Sequence, residues 1–341
     1  MEFLLEYGMF LAKTLTLVLA IGAVIVMIVV ASVKPKARKG ELCFDDVSAE
    51  YQHLQADLQQ QLLDKKAYKQ WQKQADKAEK PQQRLFVIDF NGSMDAHEVD
   101  ALREEVTAVL AVANKDDAVL VRLESGGGVV HGYGLGASQL ERVRQKNIPL
   151  TVAVDKVAAS GGYMMACVAD KILAAPFAVV GSIGVVAQVP NFHDLLEKHD
   201  IDVEVFTAGK YKRTVTVFGE NTEEDKQKFQ QELEETHKLF KDFVRKYRPS
   251  LDVEQVATGE HWYGEDAITR NLVDALQTSD SYILEKMTDS ELYAIQSRQK
   301  PTIAQKLGIS QAAQAVVATA IDKLPDALAK LESAKMPMVK K

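Results

Sequence analysis

Between Arg84 and Val154 the chain alternates short apolar runs with amphipathic stretches, and this restricts its fold more than any other feature. The runs "RLFVIDF", "AVLVRL" and "PLTVAV" are nearly continuous in apolar residues, as expected of strands buried on both faces. Residues 95–113 and 132–146 lie between them and read as helices. Buried strands joined by helical crossovers predict an α/β fold with a mostly parallel sheet. Further along, "NTEED" opens a long charged helix from Thr222 to about Lys246. Asn221 or Thr222 is placed to cap it, and the acids suit its positive end. Residues 253–275 read as helix with a Gly-containing corner, and "ELYAIQSR" reads as a last strand.

The α/β domain, residues 84–298, has distinct flanks. From Thr14 to Val33 the sequence "TLTLVLAIGAVIVMIVVASV" carries no charge. At about 1.5 Å per residue it matches the roughly 30 Å hydrocarbon core of a bilayer. Its Leu, Ile and Val residues favour insertion by roughly 4 to 7 kcal/mol. The run is too long for a cleaved signal peptide, Glu2 and Glu6 spoil a basic leader, and "ASVK" is a poor cleavage site. Residues 1–40 therefore read as an uncleaved single-pass anchor with a basic flank, in contact with the lipid bilayer through residues 14–33. Lys34, Lys36, Arg38 and Lys39 follow the span, and this charge asymmetry favours a cytoplasmic body. Residues 41–83 read as an amphipathic helical stalk ending near Pro81, with Tyr51, Leu54, Leu58 and Leu62 at helical spacing. The Ala- and Gln-rich residues 299–341 read as a helical tail.

Composition excludes some functions. The formal charge of -7 leaves no basic footprint for nucleic acid. Cys43 and Cys167 form no metal-ligand or disulfide spacing, so no metal and no cofactor is expected.

Three glycine-containing corners follow strand-like runs: "LESGGGVV" from Leu123, "AASGGYMM" from Ala158 and "VVGSIGVV" from Val179. Corners at strand ends are where α/β sheets build sites. Ser160 has two readings: a helix N-cap, or a nucleophile held at a strand-to-helix turn. A nucleophile needs a base. The histidines after Ser160 have no accompanying acid motif, whereas "TAGKYKRT", after the strand-like "DVEVF", supplies Lys210 and Lys212. A lysine with an ordinary pKa of about 10.4 must be desolvated or placed beside other cations to accept a proton at neutral pH. Taken by itself, the basic cluster reads as a solvated loop rather than a base.

"SGGGV", "ASGGYMMA", "VGSIGVV", "GKYKRT" and "GEHWYGEDAITRNLVD" occur in this order, and together they resemble the signal peptide peptidase A family of serine-lysine membrane proteases. The resemblance is strong from about Leu85 to Ala275. It implies a nucleophile at Ser160, a general base at Lys212, a lysine-orienting hydroxyl at Ser182, and oxyanion donors at the backbone N–H groups of Gly127 and Gly161. Two positions depart from the family pattern. Gly126 stands where a proline is common, and Asn271 stands where a glycine precedes "LVD", a place suited to a left-handed cap.

The resemblance further implies the fold shared by the Clp protease and crotonase superfamily, and a homo-oligomer whose sites line a bowl. It implies an inner-membrane location with the catalytic domain outside the cytoplasm, against the flanking charges. Peptide or protein substrates are implied, signal-peptide fragments or other unfolded or membrane-released peptides among them. Val129, Val130, Val185 and Val186 fit either a cleft for apolar side chains or the core. A crotonase-like thioester enzyme, using the glycine donors without a serine nucleophile, and a non-catalytic membrane scaffold are the alternatives.

Overall fold

The structure, a computed structural model, describes residues 41–75 and 81–298, together with residues 7, 8, 10, 13 and 14. Apart from Thr14, the expected span at 14–33 lies outside the described residues, as do the basic flank and the tail at 299–341. Among the described residues no helix is long and apolar enough to cross a membrane.

Strand β2 (Gln83–Gly92) lies between β3 (Ala118–Ser125) and β10 (Ser290–Arg298), parallel to both, with Leu85 opposite Ala118 on one side and Leu292 on the other. Beyond β3 follow β4 (Leu150–Val154), β6 (Lys171–Ala174) and β9 (Ala275–Leu276), each parallel to its neighbour. An edge strand, β1 (Glu41–Asp46), pairs with β10. The expected α/β fold with a mostly parallel sheet is therefore present.

Both faces of the sheet are covered, which explains the lack of polar alternation in its strands. On one face Phe86, Ile88 and Phe90 join a core with α3 (Val99–Val112) and α4 (Val130–Gln145). On the other, Leu85 and Val87 meet Leu120, Leu173 and Tyr282 of α10 (Ser279–Lys286). Burying side chains of this size stabilises by roughly 1.5–3 kcal/mol each.

A smaller branch leaves the sheet at the end of β3. There Ser125 pairs with Ala158 of β5 (Val157–Ala159), β5 pairs in parallel with β7 (Val179–Gly181), and β7 pairs antiparallel with β8 (His261–Tyr263). The carboxyl ends of β3, β5 and β7 thus lie side by side, and each runs into one of the three glycine-containing corners.

Some local expectations changed. The single helix expected over residues 49–83 is two, α1 (Val47–Leu62) and α2 (Lys65–Ala75). Asp64 separates them because its carboxylate accepts the Lys66 and Ala67 N–H groups at 2.8 and 2.9 Å, capping α2. The first of these helices also touches the sheet, where Ser48 Oγ accepts the Leu292 N–H at 2.9 Å. Residues 253–275 contain α8 (Val253–Val256), β8 and α9 (Gly264–Thr269) rather than helix alone. "DVEVF" forms no strand: Val203, Val205 and Phe206 are exposed, and apolar alternation makes a strand only where a neighbour completes its hydrogen bonds. The long helix α7 (Glu223–Tyr247) opens with a capping box between Thr222 and Asp225, so Thr222 is the N-cap.

An ion pair between buried Arg248 and the exposed Asp274 ties α7 to the sheet. Arg248 donates to Asp274 at 2.8 and 2.7 Å and to the Asn271 carbonyl at 3.0 Å, while Asp274 accepts the Ile172 N–H. Asn271 has φ 60, the left-handed cap expected of it. Burial works against the Asp274 carboxylate, but Arg248 and the Ile172 N–H offset it, and the pKa falls below the ordinary value. Its stabilising contribution is therefore present above the unfolded carboxylate pKa and lost as pH falls through the lower folded value. Arg248→Ala removes the hydrogen bonds to Asp274 and the Asn271 carbonyl, and because the carboxylate left behind is solvated, thermal melts should show a loss of about 1–2 kcal/mol near neutral pH.

Glu105 behaves in the opposite sense. It is 4% exposed, beside Asp89 and Glu104, and accepts the Ser297 N–H at 2.7 Å. Burial pushes its pKa up to about 7. The folded state then binds the proton more tightly than the unfolded chain, so stability declines as pH rises from about 4.5 toward 7 and levels off above. Glu105→Gln should keep an acceptor for Ser297 and abolish this decline, stabilising the protein at pH 8 by on the order of 2 kcal/mol while changing little at pH 4.

Candidate active site

Ser160 is held by its backbone. It follows β5 and precedes α5 (Gly161–Ala166), with φ 52 and ψ -117, a conformation that costs a non-glycine residue on the order of 1–3 kcal/mol. Its N–H donates to the Gly181 carbonyl at 2.8 Å, and its carbonyl accepts the Met164 N–H at 2.9 Å. Its side chain makes no capping hydrogen bond. The N-cap reading requires an extended backbone and a side-chain bond to the helix, and neither is present. The serine instead lines an open cleft of about 890 Å³.

The three corners meet at this cleft. Gly127, Gly161 and Ser182 all line it with Ser160. The glycines are required by close approach: a Cβ on Gly127 would lie 2.7 Å from the Gly161 nitrogen, and one on Gly161 would lie 2.4 Å from Tyr133 Cγ. At the first position of α5 the Gly161 N–H has no acceptor within the helix. The Gly127 N–H donates to Ser125 Oγ at 3.1 Å. Ser182, φ 51, is fixed by its N–H bond to the Glu260 carbonyl at 2.7 Å, and its hydroxyl reaches only the Gly259 carbonyl, at 3.4 Å.

Lys212 is not among the residues lining the cleft. It is exposed, in a turn where its N–H bonds the Gly209 carbonyl at 3.1 Å. Lys210 forms an ion pair with Glu224 at 2.7 Å, and that bond, with Tyr211 alongside, raises its pKa, opposite to what a base needs.

Other features of the cleft were not read from the sequence. His237, Leu239, Phe240 and Phe243 of α7 form one wall, and His237 Nε2 lies 3.3 Å from the Ile183 carbonyl. The helical spacing of these residues was the available signal, hidden within a highly charged helix. Val129, Val130, Val185 and Val186 all line the cleft rather than the core. Buried Cys167 is no competing nucleophile: burial pushes its thiol pKa up, and its Sγ contacts the Met164 carbonyl. Away from the cleft, His193, Asp194 and Glu197 of α6 (His193–Glu197) bring potential metal-ligand atoms within 4.8 Å of one another, on an exposed turn.

An uncapped serine at a strained strand-to-helix corner, beside close-packed backbone N–H groups and an apolar cleft, is an arrangement that fits acyl transfer through a serine. Known proteins give this arrangement its family. Residues 2–140 match the model for the peptidase family S49 N-terminal region, and residues 142–293 match that for peptidase family S49. A Haemophilus influenzae protein named "Probable protease SohB" is 52% identical over 331 residues, covering 90% of this chain and 92% of that protein. A protein of the same name from Buchnera aphidicola subsp. Schlechtendalia chinensis is 46% identical over 305 residues, covering 84% of this chain and all of that one. A solved mutant of the "1510-N membrane-bound stomatin-specific protease" aligns with TM-score 0.43 and 12% identity, over 64% of this chain and 98% of that one. The chain belongs to peptidase family S49 and is a serine peptidase.

The fit of Gly161 against Tyr133 is tight enough to test. Gly161→Ala should destabilise the protein by about 2 kcal/mol in denaturant melts, because the new methyl group meets a buried ring with no space to yield.

Proposed function

We propose that the protein is a membrane-anchored serine endopeptidase working through a Ser160–Lys212 dyad on the Clp protease/crotonase-like fold. The observation that carries this reading is Ser160 itself, whose strained, uncapped placement gives nothing to helix stability and faces a substrate-sized cleft. Ser160 Oγ attacks the scissile carbonyl, and the neutral Lys212 amine takes the hydroxyl proton and delivers it to the leaving amine. Water, deprotonated by the same amine, then attacks the acyl-serine ester and releases Ser160. Gly161 and Gly127 donate N–H groups to the developing oxyanion, and Ser182 orients the lysine ammonium.

Lys212 reaches the serine only if its segment is covered. The flanking Val203, Val205 and Phe206 are exposed, Phe206 to 87%, an apolar stretch suited to burial against a neighbouring subunit. Burial there in a homo-oligomer would also desolvate the lysine and lower its pKa, which its role as base requires. The apolar walls of the cleft suit extended peptides bearing apolar side chains, such as signal-peptide fragments or unfolded segments released from membranes. The run at 14–33 would hold the enzyme at the inner membrane beside such substrates.

Hydrolysis of an apolar peptide should be measured with the full chain in detergent for wild type, Ser160→Ala and Lys212→Ala, with melting temperatures as folding controls. Both variants should lose at least about 10³-fold in kcat, and the wild-type pH profile should show a base titrating well below 10. Unchanged activity in either folded variant overturns the dyad.

A further inference from the structure

Behind the cleft lies a buried hydrogen-bonded chain that the dyad does not use. Tyr133, on the first turn of α4, is fully buried, and its hydroxyl donates to the Ser93 carbonyl at 2.6 Å. A tyrosine has one proton to donate, so its oxygen accepts from Ser125 Oγ, 2.5 Å away. Ser125 Oγ in turn accepts the Gly127 N–H at 3.1 Å. The order is Gly127 N–H to Ser125, Ser125 to Tyr133, and Tyr133 to the Ser93 carbonyl. The Gly92 carbonyl, 3.2 Å from Ser125 Oγ, is the longer alternative acceptor for the serine proton. Burial raises the pKa of Tyr133, which keeps the phenol protonated and the chain directional.

Tyr133 also reaches the other side of the cleft. Its ring lies against Gly161, and Phe90 packs edge-on to it, with ring centroids 6.5 Å apart at 81°. One buried side chain therefore touches Gly161 through its ring and Gly127 through Ser125.

We propose that Ser125 and Tyr133 are positioning residues for the oxyanion-binding face, acting through the backbone of Gly127 and Gly161. This inference rests on the acyl-transfer reading above. Residues 126–128 are three consecutive glycines, and Gly127 takes φ 87. Such a run has little intrinsic stiffness, because glycine loses more conformational freedom on ordering than any other residue. Around position 126 there is open space, so packing does not order the loop there. The hydrogen-bonded chain supplies the missing order by anchoring the Gly127 amide to a fixed phenol. Ser125 Oγ is also the resting acceptor for the N–H that an oxyanion would take. A small rotation of one glycine peptide exchanges the two acceptors as negative charge develops.

The test uses the full chain in detergent and measures kcat, KM and binding of a peptide boronic acid, whose anionic tetrahedral adduct with Ser160 places an oxygen in the oxyanion position. Tyr133→Phe keeps the ring on Gly161, and Ser125→Ala keeps the whole tyrosine, so either can be read if the other fails to fold. Each should lower kcat about tenfold to hundredfold with KM within about twofold, since only a transition-state interaction is weakened. Boronate affinity should fall by the same factor, and the pH profile should keep its midpoint because the base lies elsewhere. The double variant should lose no more than the worse single one, the two residues serving one chain. A kcat within twofold of wild type in a folded Tyr133→Phe protein, a loss carried by KM, or undiminished boronate affinity each overturns the proposal. Ser160→Ala run alongside separates the two ideas: if it stays active the acyl-transfer reading fails first, and if it alone is inactive only the positioning role fails.

Discussion

The site depends on one constraint, the backbone conformation of Ser160. A serine at φ 52 and ψ -117 would relax if its surroundings allowed it. They do not: its N–H is held by Gly181, its carbonyl by Met164, and the turn is enclosed by residues without side chains at Gly127 and Gly161. Gly162 is equally close-packed, since a Cβ there would lie 2.6 Å from the Ser125 carbonyl. The strain is small beside the packing that maintains it, and the outcome is a hydroxyl directed to an apolar cleft instead of a helix end.

That enclosure comes from the branching of the sheet. The pairing of β3 with β4 ends at Arg122, opposite Ala153, and Ser125 takes up β5 instead. Because β5 and β7 then run parallel to β3, all three chains turn at the same edge, and their corners have no choice but to pack on one another. α5 is pinned behind them, with the Tyr163 hydroxyl on the Leu272 carbonyl at 2.9 Å and the Arg248–Asp274 pair holding the same segment. The ion pair and the Ser160 corner are thus parts of one packing arrangement, and tolerance at that corner is set partly by residues far from it in sequence.

Lys212 lies on the other side of this division. The rigid corner is complete within one chain, whereas the lysine sits on an exposed apolar segment that lacks a partner strand. In the proposed mechanism the Gly127 N–H turns from Ser125 Oγ to serve an oxyanion, and Lys212 serves as base only when its segment is covered.

Much of this was present in the sequence. The near-continuous apolar runs marked β2, β3 and β4, "ELYAIQSR" marked β10, the acids after Thr222 marked a capped helix, and Asn271 marked a left-handed turn. These are local effects of backbone hydrogen bonding and side-chain burial, and a short window contains the residues that cause them. The short strands β6, β8 and β9 were not visible, since two to four residues have no periodicity, and neither was the failure of "DVEVF" to find a neighbour. The sequence by itself determined the alternating elements and the three glycine corners that follow its strands. Only the tertiary structure decided that those corners converge, that Ser160 is uncapped, and that Tyr133 links Ser93, Ser125 and Gly161. These contacts join positions 8 to 40 residues apart, and their energies come from the packing of whole elements rather than from any segment alone.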